Sequence, residues 1–171
     1  NRAVFVTTTR FLEYNYSKAR FDAEEFFWKF FCDNYLEIVK WRVYNGNNQQ
    51  KESAFYTLYT SLFAILKLLS PIIPFITEYI YQNYFRKNEK DKSIHISEWP
   101  KFDKKPVESK QWFTLIEIVS KIRTAKSENN KSMNSEIILT LNKQIYDALS
   151  ELLNDLKHVV NAKEIKTGEF K

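Results

Sequence analysis

Glycine is scarce in this sequence: only 2 glycines occur among 171 residues, against a usual share of about 7%. Loops that cradle phosphates need several glycines close together, because their backbone must approach the ligand and adopt positive φ angles. The scarcity therefore excludes a Rossmann fingerprint and a P-loop. It also argues against a β-rich fold with many tight hairpin turns. The remaining prediction is a helical protein with long elements and few turns.

Cysteine, histidine and long apolar runs are also rare. The single cysteine, Cys32, excludes an internal disulfide and a multi-cysteine zinc site. The two histidines, His95 and His158, are too few for a histidine metal site. No run of 18 apolar residues occurs, and the N-terminus has no signal-peptide pattern. These features predict a cytoplasmic protein with no membrane span and no metal.

The sequence contains no constellation of side chains typical of catalysis. Cys32 lies in a very apolar stretch, where a packing role is expected. His95 and His158 are interpreted as structural or exposed residues. Asp33 and Glu37 lie one helical turn apart beside a lysine, which favours a buried ion-pair network over acid–base chemistry. This chain by itself is therefore not expected to carry a catalytic site.

The positive charge is concentrated in one segment. The chain has 26 basic and 21 acidic residues, a net charge of +5. Residues 86–131 hold 12 basic and 7 acidic residues, whereas the rest of the chain holds 14 of each. Such an excess suits contact with a polyanion along one surface. A lysine-rich solvated face is the alternative, and charge alone leaves both open.

Helical periodicity covers most of the first 128 residues. It predicts helices over residues 2–17, 22–44, 52–69, 75–85 and 109–126. Asp22 is the expected N-cap of the second helix, Gly46 its C′ residue, and Pro74 the first-turn residue of the fourth. The second helix is apolar on most faces, which predicts a central position.

The other segments are predicted to differ in character. Residues 93–100 show alternation, which indicates an extended strap anchored by Ile94, Ile96 and Trp99. Residues 136–141 indicate a strand, 145–156 a helix, and 159–160 and 163–166 short strands. We therefore predict a helical bundle over residues 1–128 and a small α/β subdomain over residues 129–171.

Four strings follow one another in the helical region, each named here by its residues. The Trp-Cys string, residues 26–40, reads FFWKFFCDNYLEIVK. The Pro-Phe string, residues 69–82, reads LSPIIPFITEYIYQ. The His-Trp string, residues 93–100, reads SIHISEWP, and the Ile-Arg string, residues 122–128, reads IRTAKSE.

In this order, the strings resemble the C-terminal anticodon-binding domain of class Ia aminoacyl-tRNA synthetases. The Trp-Cys string is similar to the run Phe-Cys-Asp-x-Tyr-Leu-Glu of valyl-tRNA synthetases and favours these over the isoleucyl and leucyl enzymes. The Ile-Arg string and the strand–helix–strand tail resemble archaeal or eukaryotic-like members.

The resemblance implies a mainly α fold, a bundle of about five helices with the small α/β appendage. It implies binding of the tRNA(Val) anticodon stem-loop, in support of ATP-dependent attachment of valine by a catalytic domain that this chain lacks. ATP and magnesium belong to that domain, so no cofactor is expected here. The first helix of the family domain is expected upstream of residue 1. The expected partners are the tRNA and the catalytic domain of the same polypeptide, in a monomeric ligase.

Three sets of candidate residues follow from these interpretations. Phosphate contacts are predicted for basic side chains, namely Arg10, Lys18, Arg20, Lys40, Arg42, Lys121, Arg123 and Lys126. Stacking on bases is a possible role of aromatic side chains near basic residues, namely Phe5, Tyr14, Tyr16 and Tyr44. Structural roles within the strings are predicted for Trp28, Asp33, Tyr35, Glu37, Pro74, His95 and Trp99.

Two alternatives remain at this point. One is the corresponding domain of isoleucyl-tRNA synthetase. The other is a helical bundle that binds proteins and has no role with RNA.

Overall fold

The structure, a computed structural model, describes residues 2–102 and 110–168. These residues form two compact units. The first comprises residues 2–33 and 52–102, and the second residues 34–51 and 110–168. The predicted boundary between residues 128 and 129 does not coincide with this division, and the assignment of family domains stays a prediction.

Helices account for most of the described residues, which confirms the predicted mainly α fold. The helical elements, in chain order, are α1 Arg2–Leu12, α2 Tyr16–Glu25, a π-helix Phe26–Leu36, α3 Glu37–Asn45, α4 Asn48–Leu69, α5 Pro74–Ile80, a π-helix Tyr81–Phe85, a 3₁₀-helix Ile94–Ile96, α6 Lys110–Glu128, α7 Lys143–Ala148, a 3₁₀-helix Ser150–Leu152 and α8 Leu153–Val159. The predicted start of the fifth helix at Ser109 lies outside the described residues.

The first interhelical turn lies earlier than predicted. Helix α1 ends at Leu12, and the side chain of Asn15 caps α2 by accepting a hydrogen bond from the Lys18 N–H at 3.2 Å. Asp22, predicted as an N-cap, instead lies inside α2. The prediction was wrong because Asn15 supplies an equally good capping oxygen about two helical turns earlier.

The predicted central helix is not buried on most faces. Its middle is π-helical over Phe26–Leu36, where Phe31 is buried but Trp28 is 59% exposed. A π-helix bonds i to i+5 rather than i to i+4, so apolar spacing read at 3.6 residues per turn assigns its faces wrongly. Rings four residues apart stack along this helix, as Phe26 does on Phe30 with centroids 6.0 Å apart.

Helix α4 begins earlier than predicted, and Gly46 does not adopt the left-handed conformation expected of a C′ glycine. Its φ is −65° and its ψ 160°. Glycine fits there because a Cβ would lie 2.5 Å from the carbonyl oxygen of Arg42. Proline has its predicted place, since Pro74 begins α5.

The first unit is built around an aromatic core. Its buried members are Leu66, Tyr81, Phe85 and Ile94. The hydroxyl of Tyr81 donates to the carbonyl of Asp91 at 2.6 Å, so its polar end is satisfied within the core. Ile94 thereby anchors the segment that follows α5, as predicted.

The second unit contains the predicted strand–helix–strand arrangement, but residues 159–160, predicted as a short strand, form the end of a helix. Strands β1, Ile137–Leu141, and β2, Ala162–Thr167, pair in parallel, with Leu139 opposite Ile165. Parallel pairing requires a crossover, and α7, the short 3₁₀-helix and α8 supply it. The core of this unit consists of buried aliphatic residues, namely Ile38, Leu115, Val119, Leu141, Leu149, Leu156, Val160 and Ala162. Removing one such leucine costs about 2–5 kcal/mol in typical cores.

Within the described ranges, no helix is both long and apolar enough to cross a bilayer.

Candidate nucleic-acid interface

The Pro-Phe and His-Trp strings meet at the carboxylate of Glu78. Its Oε2 accepts hydrogen bonds from the Ser93 hydroxyl at 2.9 Å and the Ile94 N–H at 3.0 Å, and its Oε1 accepts one from Gln82 Nε2 at 2.7 Å. Burial disfavours the charged form, but these hydrogen bonds outweigh burial and lower the pKa of Glu78. The carboxylate therefore fixes the His-Trp string on α5.

His95 is exposed beside this carboxylate. Its imidazole Nε2 lies 3.9 Å from Glu78 Oε2, and its backbone N–H donates to the Ser93 hydroxyl at 3.2 Å. The backbone of His95 thus carries the structural role predicted for this position.

Trp99 attaches the other end of the His-Trp string to α1. Its indole N–H donates to the Thr8 hydroxyl at 2.8 Å, and this hydroxyl in turn donates to the Val4 carbonyl at 2.6 Å. The ring also meets Phe11 edge-on, with centroids 5.4 Å apart. Trp99 and Ile94 therefore act as the predicted anchors, but Ile96 does not. Ile96 is 67% exposed, because the segment forms a 3₁₀ turn instead of an alternating strap.

The Ile-Arg string is held by Lys126, which is only 5% exposed. Its ammonium donates to the carbonyls of Met133, Ser135 and Val160 at 2.8, 2.7 and 2.8 Å. Burial lowers the pKa of this lysine. An ammonium has three donors, and all three are used here. The structure thus gives Lys126 a packing role in place of the predicted phosphate contact.

Arg42, which follows the Trp-Cys string, is also held by hydrogen bonds within the fold. Its Nε donates to Asp155 Oδ1 at 2.6 Å, and its Nη2 donates to Asp155 Oδ2. The Asp155 side chain is 3% exposed, and the hydrogen bond to it raises the pKa of Arg42. A bidentate pair of this kind joins α3 to α8. The pair uses two of the five N–H donors of the guanidinium, and phosphate contact stays a prediction for Arg42.

The remaining candidates of the Trp-Cys string lie nearer the surface than predicted. Glu37 and Lys40 form an ion pair at 2.6 Å, but their side chains are 42% and 58% exposed. Asp33 is exposed as well. The prediction of a buried ion-pair network was therefore wrong, since this stripe of the helix faces solvent. The ring of Tyr35 packs against Trp112 with centroids 5.9 Å apart, in keeping with its predicted structural role.

Four basic candidates present their charge at the surface. Lys18 is exposed. Arg20, Lys40 and Lys121 pair with glutamates on their own helices while their side chains stay 57%, 58% and 75% exposed. Exposed pairs of this kind contribute only about 0–1 kcal/mol, so a phosphate can replace the glutamate at little cost. Phosphate contact stays a prediction for these residues.

Arg10 and Arg123 are more enclosed. The Arg10 guanidinium binds Glu13 at 3.0 Å and Asp22 at 3.4 Å. The hydrogen bond to Glu13 has the largest effect and raises the pKa of Arg10, and the bond to Asp22 raises it further. Desolvation opposes both but does not outweigh them. Arg123 is half-buried on α6. Phosphate contact by either residue also stays a prediction.

The candidate stacking residues all expose their rings. Phe5, Tyr14, Tyr16 and Tyr44 are 41%, 80%, 54% and 75% exposed. Phe5 contacts Phe102, and Tyr14 contacts Tyr16 edge-on. Tyr14 has a φ of 57°, a left-handed conformation that is uncommon outside glycine. Stacking on bases stays a prediction for these rings.

Sequence reasoning missed three residues that hold these segments in place. Glu78 and Asp155 were overlooked because nothing in a sequence identifies the distant partner of a carboxylate. A signal did exist for Asn47: an amide three residues before Gln50 at a helix start is close to the capping-box pattern. The structure shows this box, with Asn47 N–H donating to Gln50 Oε1 at 3.0 Å and Gln50 N–H donating to Asn47 Oδ1 at 2.9 Å.

Among the described residues, no group of three or more histidine, cysteine, aspartate or glutamate side chains is arranged to hold a metal ion. The arrangement instead offers surface cations and exposed rings on helices that are locked by polar contacts. Exposed cations and rings of this kind, taken within each unit by itself, are suited to contacts with nucleic acid.

Known proteins resemble this chain along nearly its whole length. It is 36% identical over 171 residues to a valine–tRNA ligase of Anaplasma marginale, an alignment that covers 97% of this chain and 20% of that protein. The valine–tRNA ligase of Orientia tsutsugamushi is 38% identical over 160 residues, covering 88% of this chain and 19% of the ligase. The valine–tRNA ligase of Rickettsia akari is 38% identical over 169 residues, covering 95% and 20%.

This chain thus spans about a fifth of the length of these relatives. All three organisms are bacteria, so the archaeal or eukaryotic-like character expected of the Ile-Arg string and the tail does not separate this chain from bacterial relatives.

The family model described as "Anticodon-binding domain of tRNA ligase" matches residues 1–159. That match covers all four strings and the crossover of the second unit up to the end of α8. The chain therefore belongs to the family of anticodon-binding domains of tRNA ligases.

Proposed function

We propose that this chain is the anticodon-binding part of a valine–tRNA ligase and that it binds the anticodon stem-loop of tRNA(Val). The observation that carries the proposal is the 36–38% identity to valine–tRNA ligases over 88–97% of the chain. The preference of the Trp-Cys string for valine enzymes supports the same assignment.

In this proposal, the chain positions the tRNA and does no chemistry itself. Attachment of valine, with its ATP and magnesium, takes place at a catalytic domain of the same polypeptide. The parent ligase acts in the cytoplasm as a monomer. The surface cations Lys18, Arg20, Lys40 and Lys121 contact phosphates, and exposed rings and amides contact unpaired bases.

The test is a titration of the chain with a tRNA(Val) transcript at several salt concentrations, with tRNA(Ile) as the comparison. We expect tighter binding of tRNA(Val), and an affinity that falls linearly with salt on logarithmic axes. Absence of binding to either tRNA at low salt would overturn the RNA role and leave a protein-binding bundle. Equal affinity for the two tRNAs would overturn the valine assignment.

A further inference from the structure

The turn between α3 and α4 has an unusual composition. Residues 44–50, here called the amide turn, read YNGNNQQ, with one aromatic and five amide side chains among seven residues. Tyr44 is 75% exposed, and Asn45, Asn48 and Gln49 are exposed as well.

The backbone of the amide turn is fixed from both sides. On the α4 side, Asn47 and Gln50 bind each other's backbone N–H groups, which uses their side chains for capping. On the α3 side, the Gly46 N–H donates to the Arg42 carbonyl at 3.1 Å, and the Arg42 side chain is held by buried Asp155. A turn ordered in advance loses little conformational freedom when it binds a partner.

Capping divides the five amides into two groups. Asn47 and Gln50 build the turn, whereas Asn45, Asn48 and Gln49 lie at the surface. An amide offers both a carbonyl acceptor and an NH₂ donor. It can therefore match the paired donor and acceptor on the edge of a nucleobase.

The ring and the charges around the turn fit the same ligand. Unpaired RNA bases stack on exposed aromatic rings and are read at their edges by polar side chains. Tyr44 supplies such a ring. Lys40 lies one helical turn before it, and Lys51 directly follows the turn, so cations are at hand for the phosphates.

We propose that the amide turn contacts unpaired bases of the anticodon loop, with Tyr44 as the stacking surface and Asn45, Asn48 and Gln49 as contacts to base edges. This inference rests on the proposed function, since it names the part of the domain that meets the loop.

Substitution of Tyr44 tests the stacking contact. In titrations of the whole chain with a tRNA(Val) transcript, we expect Tyr44→Ala to weaken binding about fivefold to a hundredfold and Tyr44→Phe to stay within about twofold, because a phenylalanine ring still stacks. The matched control is Tyr84→Ala, which removes a ring that is 71% exposed in the other unit. Equal effects of Tyr44→Ala and Tyr84→Ala, or none of either, would overturn the stacking role.

Substitution of the three surface amides tests the edge contacts. Asn45→Ala, Asn48→Ala and Gln49→Ala are combined, and binding is measured with tRNA(Val) and with transcripts that carry one changed anticodon base. We expect the triple variant to lose at least about fivefold of the discrimination between these transcripts, because contacts to base edges are what distinguish one base from another. Unchanged discrimination would overturn the role of the amides.

Chemical probing of the loop bases separates this inference from the proposed function. The unaltered chain should protect loop bases of tRNA(Val), and Tyr44→Ala should lose that protection while its helical circular dichroism is unchanged. If the unaltered chain does not bind tRNA(Val), the proposed function fails. If it binds and all turn variants bind and protect alike, only the assignment of the amide turn fails.

Discussion

At the scale of single residues, Lys126 shows how a charge can serve packing. The carbonyls of Met133, Ser135 and Val160 come from two separate segments, and the ammonium of Lys126 binds all three. The hydrogen bond to the Val160 carbonyl is buried, and a buried carbonyl left unsatisfied is costly. The basic excess of residues 86–131 therefore includes at least one charge that is unavailable to a ligand.

We expect Lys126→Met, which keeps the length of the side chain but removes its donors, to lower the free energy of unfolding by about 2–4 kcal/mol. Urea denaturation measures this change. Lys121→Met is the control on the same helix, because Lys121 is 75% exposed and its loss should cost less than about 0.5 kcal/mol. Similar changes in the two variants would contradict the packing role.

Glu78 makes the stability of the first unit depend on pH. Its lowered pKa means that the ionised carboxylate is favoured in the folded state. The stability it contributes is fully present above its ordinary pKa of 4.5 and is lost as pH falls through the lowered folded value. The negative charge of Glu78 affects stability because three hydrogen-bond donors converge on its carboxylate.

The chain should accordingly lose stability more steeply below about pH 4.5 than a Glu78→Gln variant does. Urea midpoints between about pH 6 and pH 3 give the two profiles, and Glu117→Gln, an exposed change on α6, serves as the reference. Parallel profiles for the chain and Glu78→Gln would show that the carboxylate network contributes nothing to the pH dependence.

At the scale of elements, the start of α4 is specified by a local rule. Asn47 and Gln50 satisfy two N–H groups that the first turn of a helix leaves without partners. This box explains why α4 begins at Asn48, four residues before the apolar stripe that predicted its start at residue 52.

We expect Asn47→Ala to lower the free energy of unfolding by about 1 kcal/mol. The neighbouring change Gln49→Ala should stay within about 0.5 kcal/mol, because Gln49 is exposed and takes no part in the box. Asn47→Ala combined with Gln50→Ala should cost less than the sum of the two single changes, since both remove the same reciprocal pair. Denaturant unfolding of the four variants checks this, and strict additivity would contradict a cooperative box.

At the scale of the whole molecule, the net charge of +5 is unevenly placed along the chain. Residues 86–131 hold the excess, and Lys87, Lys90 and Lys92 are exposed members of that segment. If this segment lies along the tRNA, these lysines displace counterions from its phosphates.

Changing these three lysines to glutamine should lower the slope of log affinity against log salt for tRNA(Val) by about 2–3. The matched control changes three exposed lysines outside the segment, namely Lys143, Lys163 and Lys166. It should leave the slope nearly unchanged. Equal decreases of the slope for both sets of variants would show that the total charge of the chain, and not its position, determines the salt dependence of binding.

The sequence by itself determined the helical class, the small strand–helix–strand tail and the family. Each rests on local information: few glycines, apolar residues at helical spacing, a proline at a helix start, and the four strings in their order along the chain. Ile94 and Trp99 of the His-Trp string were also recognisable as anchors, because burial of a large apolar side chain is favourable, but the same reasoning failed for the exposed Ile96.

Only the tertiary structure decided which charges are available to a ligand. Arg42 and Lys126 look like Lys40 and Lys121 in the sequence, yet the first two are tied to Asp155 and to three carbonyls. These partners lie 113 residues from Arg42 and up to 34 residues from Lys126 along the chain. A charge is committed or available according to what the fold brings within hydrogen-bonding distance, and a pattern of neighbours along the chain carries no such information.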